Sequence, residues 1–263
     1  MRFLSAEEIF REASAESFKG LKDASGMVGV ASAGELLFHG TTDLAILYKD
    51  GVVMATDGRA TGADMAIGDE YFDKTRFLDS HSLIAISGVP GLGLSMAKLI
   101  RARLMFEAMD HENIPLPAET KANIIAASVK DNLGLVLVHK LVVQPILATF
   151  DLSESKPCGK IFSIWIDGVV QRLSHHVSCG SGSRIAEIVL DLTLDIIKKT
   201  PDELSLKEAK HLAVLALRYA HKKDAATGEK IFMRTITKEG IGSVSEEEIN
   251  EFADRIIRGE VLP

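Results

Sequence analysis

The order of strand-like and helix-like segments most limits the folds open to this chain. From residue 41 onward, short runs rich in β-branched residues lead to two helical stretches, then strands, two more helical stretches, strands and a last helix. Helices that come in pairs do not fit a doubly wound fold, in which single helices alternate with parallel strands. The pattern predicts an α+β domain with a sheet-on-sheet core covered by helices.

Local signals predict several of these elements. LAILY and GVVMAT flank Lys49-Asp50-Gly51, which is a hairpin signal. Strands are predicted over 69–77 and 82–87, and helices over 94–109, 117–138 and 246–257. The helix that follows Gly180 has one apolar face, made by Ile185, Ile188, Val189, Leu192 and Ile196. The next helix begins at the capping box of Ser205 and Glu208.

Residues 1–40 form a leader of different character. The pair Ser5 and Glu8 predicts a short capped helix that ends near Lys19. Glycine and serine then recur up to Gly34 without a strand or helix period, which is typical of a flexible segment.

Composition excludes several classes of function. With a net charge of −7 and no run of basic residues, the chain has no electrostatic footprint for nucleic acid or anionic membranes. The start MRFLSAEEIF lacks the apolar core of a signal peptide, and the most apolar stretch, 133–150, is interrupted by Lys140 and Pro145. Cys158 and Cys179 form no CxxC, so neither a disulfide framework nor a zinc site is expected. We expect a soluble, cytoplasmic protein.

Common cofactor and catalytic motifs are incomplete. GVPGLG at 88–93 is neither a dinucleotide nor a P-loop fingerprint and reads as a strand-to-helix turn. There is no GxSxG, and His111-Glu112 lacks the second histidine of HExxH. We therefore expect no metal and no cofactor.

The step from Gly40 to Thr41 is open to two interpretations. It is either a linker that meets a first strand or a cleavage site that makes Thr41 an amino terminus. An amino-terminal threonine carries its own base, because an α-amine with a pKa near 7.7–8 can accept the hydroxyl proton. Gly40 suits such a site, since glycine tolerates the unusual backbone geometry of an internal attack. The residues alone do not choose between the two.

Five motifs in one order carry a resemblance that does choose. HGTTDLAILYKDGVVMATDGRAT, FDKTRF, IAISGVPG, SCGSGS and KKDAATGEKI follow one another as in proteasome β-subunits, and residues 39–263 resemble the bacterial, actinobacterial-type branch. The resemblance implies the four-layer αββα sandwich of amino-terminal-nucleophile hydrolases. It further implies a propeptide, residues 1–40, removed by autocleavage between Gly40 and Thr41, and a catalytic domain, residues 41–263.

The resemblance also assigns catalytic roles. Thr41 matches the nucleophile, Lys74 the catalytic lysine and Asp57 the acid that holds this lysine. A cation beside the Thr41 amine lowers the pKa of that amine, which keeps more of it as free base. The alternative for Asp57 and Lys74 is an ordinary ion pair on a strand surface.

Four further positions match residues around the family's nucleophile. Gly88 corresponds to the glycine whose N–H forms the oxyanion hole. Ser181 and Asp224 correspond to residues that hydrogen-bond the amine region and help to place water. Thr227 stands where the family often has serine.

Substrate-binding positions are implied as well. Ala60 and Thr61 match the strand that pairs with an extended substrate backbone. Ile86 and Pro90 fall where the first specificity pocket is lined, and an apolar Ile86 favours cleavage after hydrophobic residues.

Two positions depart from the family pattern. One extra residue lies between Thr61 and Lys74, so the choice of Lys74 over Asp73 rests on FDKTRF and on the chemistry of the lysine. Asp43 stands where the family usually has a neutral residue. On a strand it faces the same side as Thr41, where it would perturb the amine.

The expected function is therefore that of a threonine protease subunit, made as a zymogen, which degrades unfolded polypeptides through an acyl ester on Thr41. The resemblance implies a heptameric β-ring, a second β-ring, α-subunits and a ring-shaped ATPase activator. Two alternatives stay open: a divergent homologue that forms rings without α-subunits, and an unprocessed, inactive structural ring subunit.

Overall fold

The computed structural model describes residues 40–61, 67–112, 114–139 and 141–260. The leader helix predicted from Ser5 lies outside the described residues, as does all of the leader before Gly40.

Two five-stranded antiparallel sheets form the centre of the described chain. Sheet A has the order β10-β1-β2-β11-β12, with β1 Thr42–Tyr48, β2 Gly51–Asp57, β10 His176–Gly180, β11 Ile231–Thr237 and β12 Gly240–Ser243. Sheet B has the order β5-β6-β7-β8-β9, with β5 Thr75–Asp79, β6 Ser82–Gly88, β7 Val143–Asp151, β8 Cys158–Ile164 and β9 Val170–Leu173. A small ribbon of β3 (Ala60–Thr61) and β4 (Ile67–Asp69) lies apart from both.

Helices cover the outer face of each sheet. Sheet B is covered by α1 (Pro90–Asp110) and α2 (Ala118–Asp131), after which comes the short α3 (Leu133–His139). Sheet A is covered by α4 (Ser183–Ile197), α5 (Leu206–Lys223) and α6 (Glu246–Ile257), with a 3₁₀ turn at Pro201–Glu203. No helix in the described ranges is both long and apolar enough to cross a membrane.

Three layers of apolar side chains hold these four layers together. One lies between sheet A and its helices, one between sheet B and its helices, and one between the two sheets. Burying a large apolar side chain fully contributes about 1.5–3 kcal/mol, so these layers supply the main driving force for the stacking. The predicted αββα sandwich is confirmed.

Strand β1 shows how the layers follow from the sequence. Leu44 and Ile46 pack toward the helices, whereas Ala45 packs between the sheets. Because side chains alternate along a strand, Thr41 and Asp43 share the inter-sheet side with Ala45. Burial on both faces explains why LAILY is continuously apolar rather than alternating.

Some predicted bounds were wrong for local reasons. The first long helix begins at Pro90 rather than at residue 94, since proline is well suited to a first helical position. The helix predicted over 117–138 is interrupted at Asn132, and the strand predicted over 69–77 is divided between β4 and β5.

Part of the predicted apolar face of α4 turns outward, although Val189 packs against the core. Ile188, Leu192 and Ile196 are 58–65% exposed, while Ala186 and Leu190 are buried in the core. The apolar spacing identified the face, but it did not tell which residues pack against the sheet.

Candidate active site

Thr41 lies directly before β1, near Gly180 at the end of β10 and Ser87 at the end of β6. Thr41 is only 3% exposed, and a peptide bond joins its nitrogen to Gly40. Gly40 packs so closely against the loop after α5 that a Cβ at this position would lie 1.9 Å from the Cβ of Ala226. Only a glycine fits between Thr41 and this loop without a shift of the backbone.

Asp57, the last residue of β2, is the centre of one hydrogen-bond network. Its fully buried carboxylate accepts the N–H groups of Thr42 at 2.6 Å, Arg59 at 2.9 Å and Gly228 at 2.8 Å. Lys74 adds an ion pair, with 2.6 Å between its Nζ and Asp57 Oδ1. Four donors satisfy the carboxylate, which offsets the cost of burying its charge.

Lys74 precedes β5 and is 5% exposed, so the Lys74–Asp57 pair is buried rather than on a strand surface. Asp57 also holds the amide that follows Thr41, and the pair therefore ties a lysine to the base of the candidate nucleophile. Asp73 instead binds Arg234, with 2.7 Å between Oδ2 and a guanidinium nitrogen. In agreement with the alignment of the FDKTRF motif, Lys74 and not Asp73 therefore interacts with Asp57.

A second network begins at the Thr41 nitrogen. The Thr41 N–H donates to Ser181 Oγ at 3.4 Å, and the Ser181 hydroxyl donates to Asp224 Oδ2 at 2.5 Å. Thr227 Oγ1 donates to the same Asp224 oxygen at 2.6 Å and lies 2.7 Å from Thr42 Oγ1. Three segments far apart in sequence therefore meet around the first two residues of β1.

Gly88 ends β6 in a left-handed conformation, with φ of +111°. A Cβ here would lie 2.0 Å from the carbonyl oxygen of Val142, so a larger residue does not fit this turn. A Cβ at Gly180 would lie 2.0 Å from the Thr41 carbonyl oxygen and 3.1 Å from Ser87 Oγ. Strand β10 thereby brings Thr41 close to the Ser87–Gly88 turn.

The predicted substrate-binding residues lie on β6, at the start of α1 and in the β3–β4 ribbon. Ile86 lies on β6 two residues before Gly88, and Pro90 is the first residue of α1. Ala60 and Thr61 form β3, which pairs with β4 from Ala60 to Asp69.

Asp43 is the unusual group of the site. It is fully buried between the sheets and accepts a hydrogen bond from Ser87 Oγ at 2.9 Å. Burial is the main cause that raises the pKa of Asp43 from 3.8 to about 7; the Lys74 ammonium opposes the rise and the Asp57 carboxylate adds to it. Burial also raises the pKa of the Cys179 thiol to about 12, so this neighbour stays protonated.

Several residues of the site were missed from the sequence. Thr42 joins both networks, through its N–H and its hydroxyl, but the sequence assigns it no role of its own. The N–H groups of Arg59 and Gly228 on Asp57 carry no side-chain signal and could not have been found. Ser87 lies in the IAISGVPG motif, but its partner Asp43 is 44 residues away in the sequence, so no local signal joins the two.

Within the described part of the chain, one cluster has the composition of a metal site: Glu119, Asp151 and Glu154. The Nζ of Lys160 lies among these carboxylates, at 2.9 Å from Asp151 Oδ2 and 2.5 Å from Glu154 Oε1. The lysine supplies the positive charge that a cation would supply.

Comparison with known proteins identifies the family. The family model "Proteasome subunit" matches residues 37–236. "Proteasome subunit beta" of Stackebrandtia nassauensis is 34% identical over 85% of this chain and 80% of its own length. The protein of the same name from Rhodococcus opacus is 34% identical over 86% of this chain and 77% of its own length. "Proteasome subunit beta 1" of Streptomyces avermitilis is 32% identical over 87% of this chain and 80% of its own length. The resemblance drawn from the motifs is confirmed: this chain belongs to the proteasome subunit family.

Proposed function

We propose that this chain is the precursor of a threonine endopeptidase subunit of a proteasome core particle. Its family and the names of its actinobacterial relatives support a β-type subunit that assembles into proteasome core rings. Two hydrogen-bond networks support the more specific assignment as a threonine endopeptidase. One links the Thr41 nitrogen through Ser181 to Asp224, and the other links Thr42 through Asp57 to Lys74.

The first reaction is autocleavage. Thr41 Oγ1 attacks the carbonyl carbon of Gly40, the C–N bond to Thr41 breaks, and the nitrogen takes up the hydroxyl proton. The resulting ester is hydrolysed by water, which leaves a carboxylate on Gly40 and a free amine on Thr41. The tight fit at Gly40, where a Cβ would lie 1.9 Å from the Cβ of Ala226, supports this role, because close packing of the residue before Thr41 limits the motion of the peptide bond that would be cleaved.

Substrate cleavage then uses the freed amine. The amine accepts the proton of Thr41 Oγ1, directly or through a water, and Oγ1 attacks the peptide carbonyl. The Gly88 N–H stabilises the oxyanion, the proton passes to the leaving amine, and water hydrolyses the acyl ester. The positive charge of Lys74 favours the unprotonated amine, and Asp57 keeps the lysine in place.

Substrate would enter in an extended conformation. Ala60 and Thr61 offer a strand for backbone pairing, and Ile86 and Pro90 line the pocket for the residue before the scissile bond. These side chains favour hydrophobic residues at that position, in unfolded polypeptides.

Exposed apolar surfaces support assembly through both outer layers. On α1, Met105, Phe106 and Met109 are 47–66% exposed, and the outward face of α4 carries Ile188, Leu192 and Ile196. Such patches mark protein–protein contacts more often than free surface. We propose that these layers contact a second β-ring and a ring of α-subunits in a heptameric, cytoplasmic particle that is fed by a ring-shaped ATPase.

Replacement of Thr41 by alanine tests the mechanism. We expect Thr41→Ala to abolish both processing and peptide hydrolysis, whereas the wild type loses the mass of residues 1–40 when it assembles. Thr193→Ala, on the buried side of α4, is the matched control and should be processed and active. Intact mass, native sizing and hydrolysis of a fluorogenic peptide are the measurements.

Two outcomes would contradict the proposal. Peptide cleavage by an assembled particle whose subunits retain residues 1–40 would rule out Thr41 as an amino-terminal nucleophile. An assembled, unprocessed and inactive wild type would instead identify a structural ring subunit.

A further inference from the structure

A carboxylic acid lies in the inter-sheet layer beside the nucleophile. Asp43 is two residues after Thr41 on β1 and therefore faces the same side of sheet A, at a distance of about 7 Å along the strand. The surrounding layer is otherwise largely apolar, with Ala45 and Cys179 among its members. A carboxyl group is costly in such a place unless it is neutral or well paired.

Asp43 has one side-chain hydrogen bond, and this bond crosses from sheet A to sheet B. The Ser87 hydroxyl of β6 donates to Asp43 Oδ2, whereas Asp43 Oδ1 is buried without a hydrogen-bond partner among the described residues. Ser87 directly precedes Gly88, so the bond joins the strand of the nucleophile to the turn that would hold the oxyanion donor.

Charged and titratable groups face Asp43 from several elements. Lys74 and Asp73 face it from the segment before β5, Asp57 from β2 and Cys179 from β10. The protonation state of Asp43 therefore sets the net charge around the Lys74–Asp57 pair. When Asp43 is protonated, the pair lies beside a neutral acid; when Asp43 is ionised, the pair lies beside a further carboxylate.

We propose that Asp43 is a positioning residue for the Thr41 reaction, which ties β1 to the Ser87–Gly88 turn and sets the charge that faces the Thr41 amine. This inference rests on the proposed function. A carboxylate near the amine stabilises the ammonium form, so a charged Asp43 raises the pKa of the amine and opposes the effect of Lys74. A protonated Asp43 has no such effect.

The acidic limb of the pH–rate profile follows from this balance. Because burial holds the pKa of Asp43 near 7, the carboxyl loses its proton in the same range in which the amine must become free base. With unit charges about 7 Å apart in a protein interior, removal of the charge should shift the limb toward lower pH by about one pH unit.

Two substitutions on different strands test the proposal in the assembled, processed particle. Asp43→Asn keeps an oxygen that can accept the Ser87 bond but cannot carry a charge. Ser87→Ala removes the donor that lowers the pKa of Asp43, so Asp43 stays neutral to higher pH. Both substitutions should move the acidic limb of the kcat/KM profile toward lower pH, by about one pH unit for Asp43→Asn and by less for Ser87→Ala. The profile is measured from pH 5.5 to 9 as hydrolysis of a fluorogenic peptide.

The control is Asp50→Asn in the exposed β1–β2 hairpin, whose profile should match the wild type. A purely structural tie between the sheets would lower kcat without moving the limb. Profiles of Asp43→Asn and wild type that superimpose would overturn the inference, and if Asp43→Asn does not assemble, an unmoved limb in Ser87→Ala overturns it. Activity that survives Thr41→Ala would instead refute the proposed function, so the two failures are distinguishable.

Discussion

Replacing Asp43 with asparagine should remove a pH-dependent loss of stability. In the folded chain, burial raises the pKa of Asp43 from 3.8 to about 7. Between these two values the folded state holds a proton that the unfolded chain has released, so the free energy of unfolding falls as the pH rises through this window. Above about pH 7 both states are ionised and the loss is complete. Asparagine has the same shape and no such proton.

The size of the effect follows from the two pKa values. Each pKa unit corresponds to about 1.36 kcal/mol, so the full difference costs about 4 kcal/mol. Between pH 5 and pH 8, wild type should lose about 2–3 kcal/mol more than Asp43→Asn. For a chain of this size this corresponds to roughly 5–10 °C in melting temperature.

Urea unfolding at pH 5, 6, 7 and 8 measures the difference, with both proteins in the same assembly state as judged by native sizing. Asp50→Asn, which replaces an exposed acid at the hairpin, should follow the wild-type curve. The asparagine amide carries its own burial cost, but this cost does not change with pH. If the curves of wild type and Asp43→Asn run parallel from pH 5 to pH 8, the buried, neutral state of Asp43 is refuted.

Two other substitutions test the packing of the site and of the fold. Gly88→Ala would place a Cβ 2.0 Å from the Val142 carbonyl oxygen and should lower kcat toward a fluorogenic peptide about 100-fold or more. Gly91→Ala is the control: no atom lies within 4 Å of the added Cβ, so its kcat should stay near the wild-type value. Equal kcat values for the two variants would contradict the role of the Ser87–Gly88 turn. Lys160→Met leaves the buried carboxylate of Asp151 without its ammonium and should cost about 3–5 kcal/mol in urea unfolding. Lys210→Met, which breaks a more exposed pair, should cost about 1 kcal/mol or less, and similar losses in both would mean that the Lys160 pair is not effectively buried.

The sequence by itself determined the type and order of most elements of the described chain. Hydrophobic period, hairpin residues and capping boxes act over a few residues, so the β1–β2 hairpin, the cap at Ser205 and the helix at 246–257 could be predicted without knowledge of packing. The ordered motifs likewise predicted Thr41, Asp57 and Lys74 as one set, without information on their distances.

Only the tertiary structure decided which side each face turns to and which distant atoms meet. The apolar face of α4 was evident from its spacing, but packing through Ala186 and Leu190 left Ile188 outward. The backbone donors on Asp57 and the bond from Ser87 to Asp43 join segments that are close only after the two sheets stack. A periodic pattern specifies a face, whereas the partner of that face depends on contacts across the whole chain. For that reason the sequence indicated that Asp43 was unusual, and the stacked sheets decided that it is a buried acid beside the proposed nucleophile.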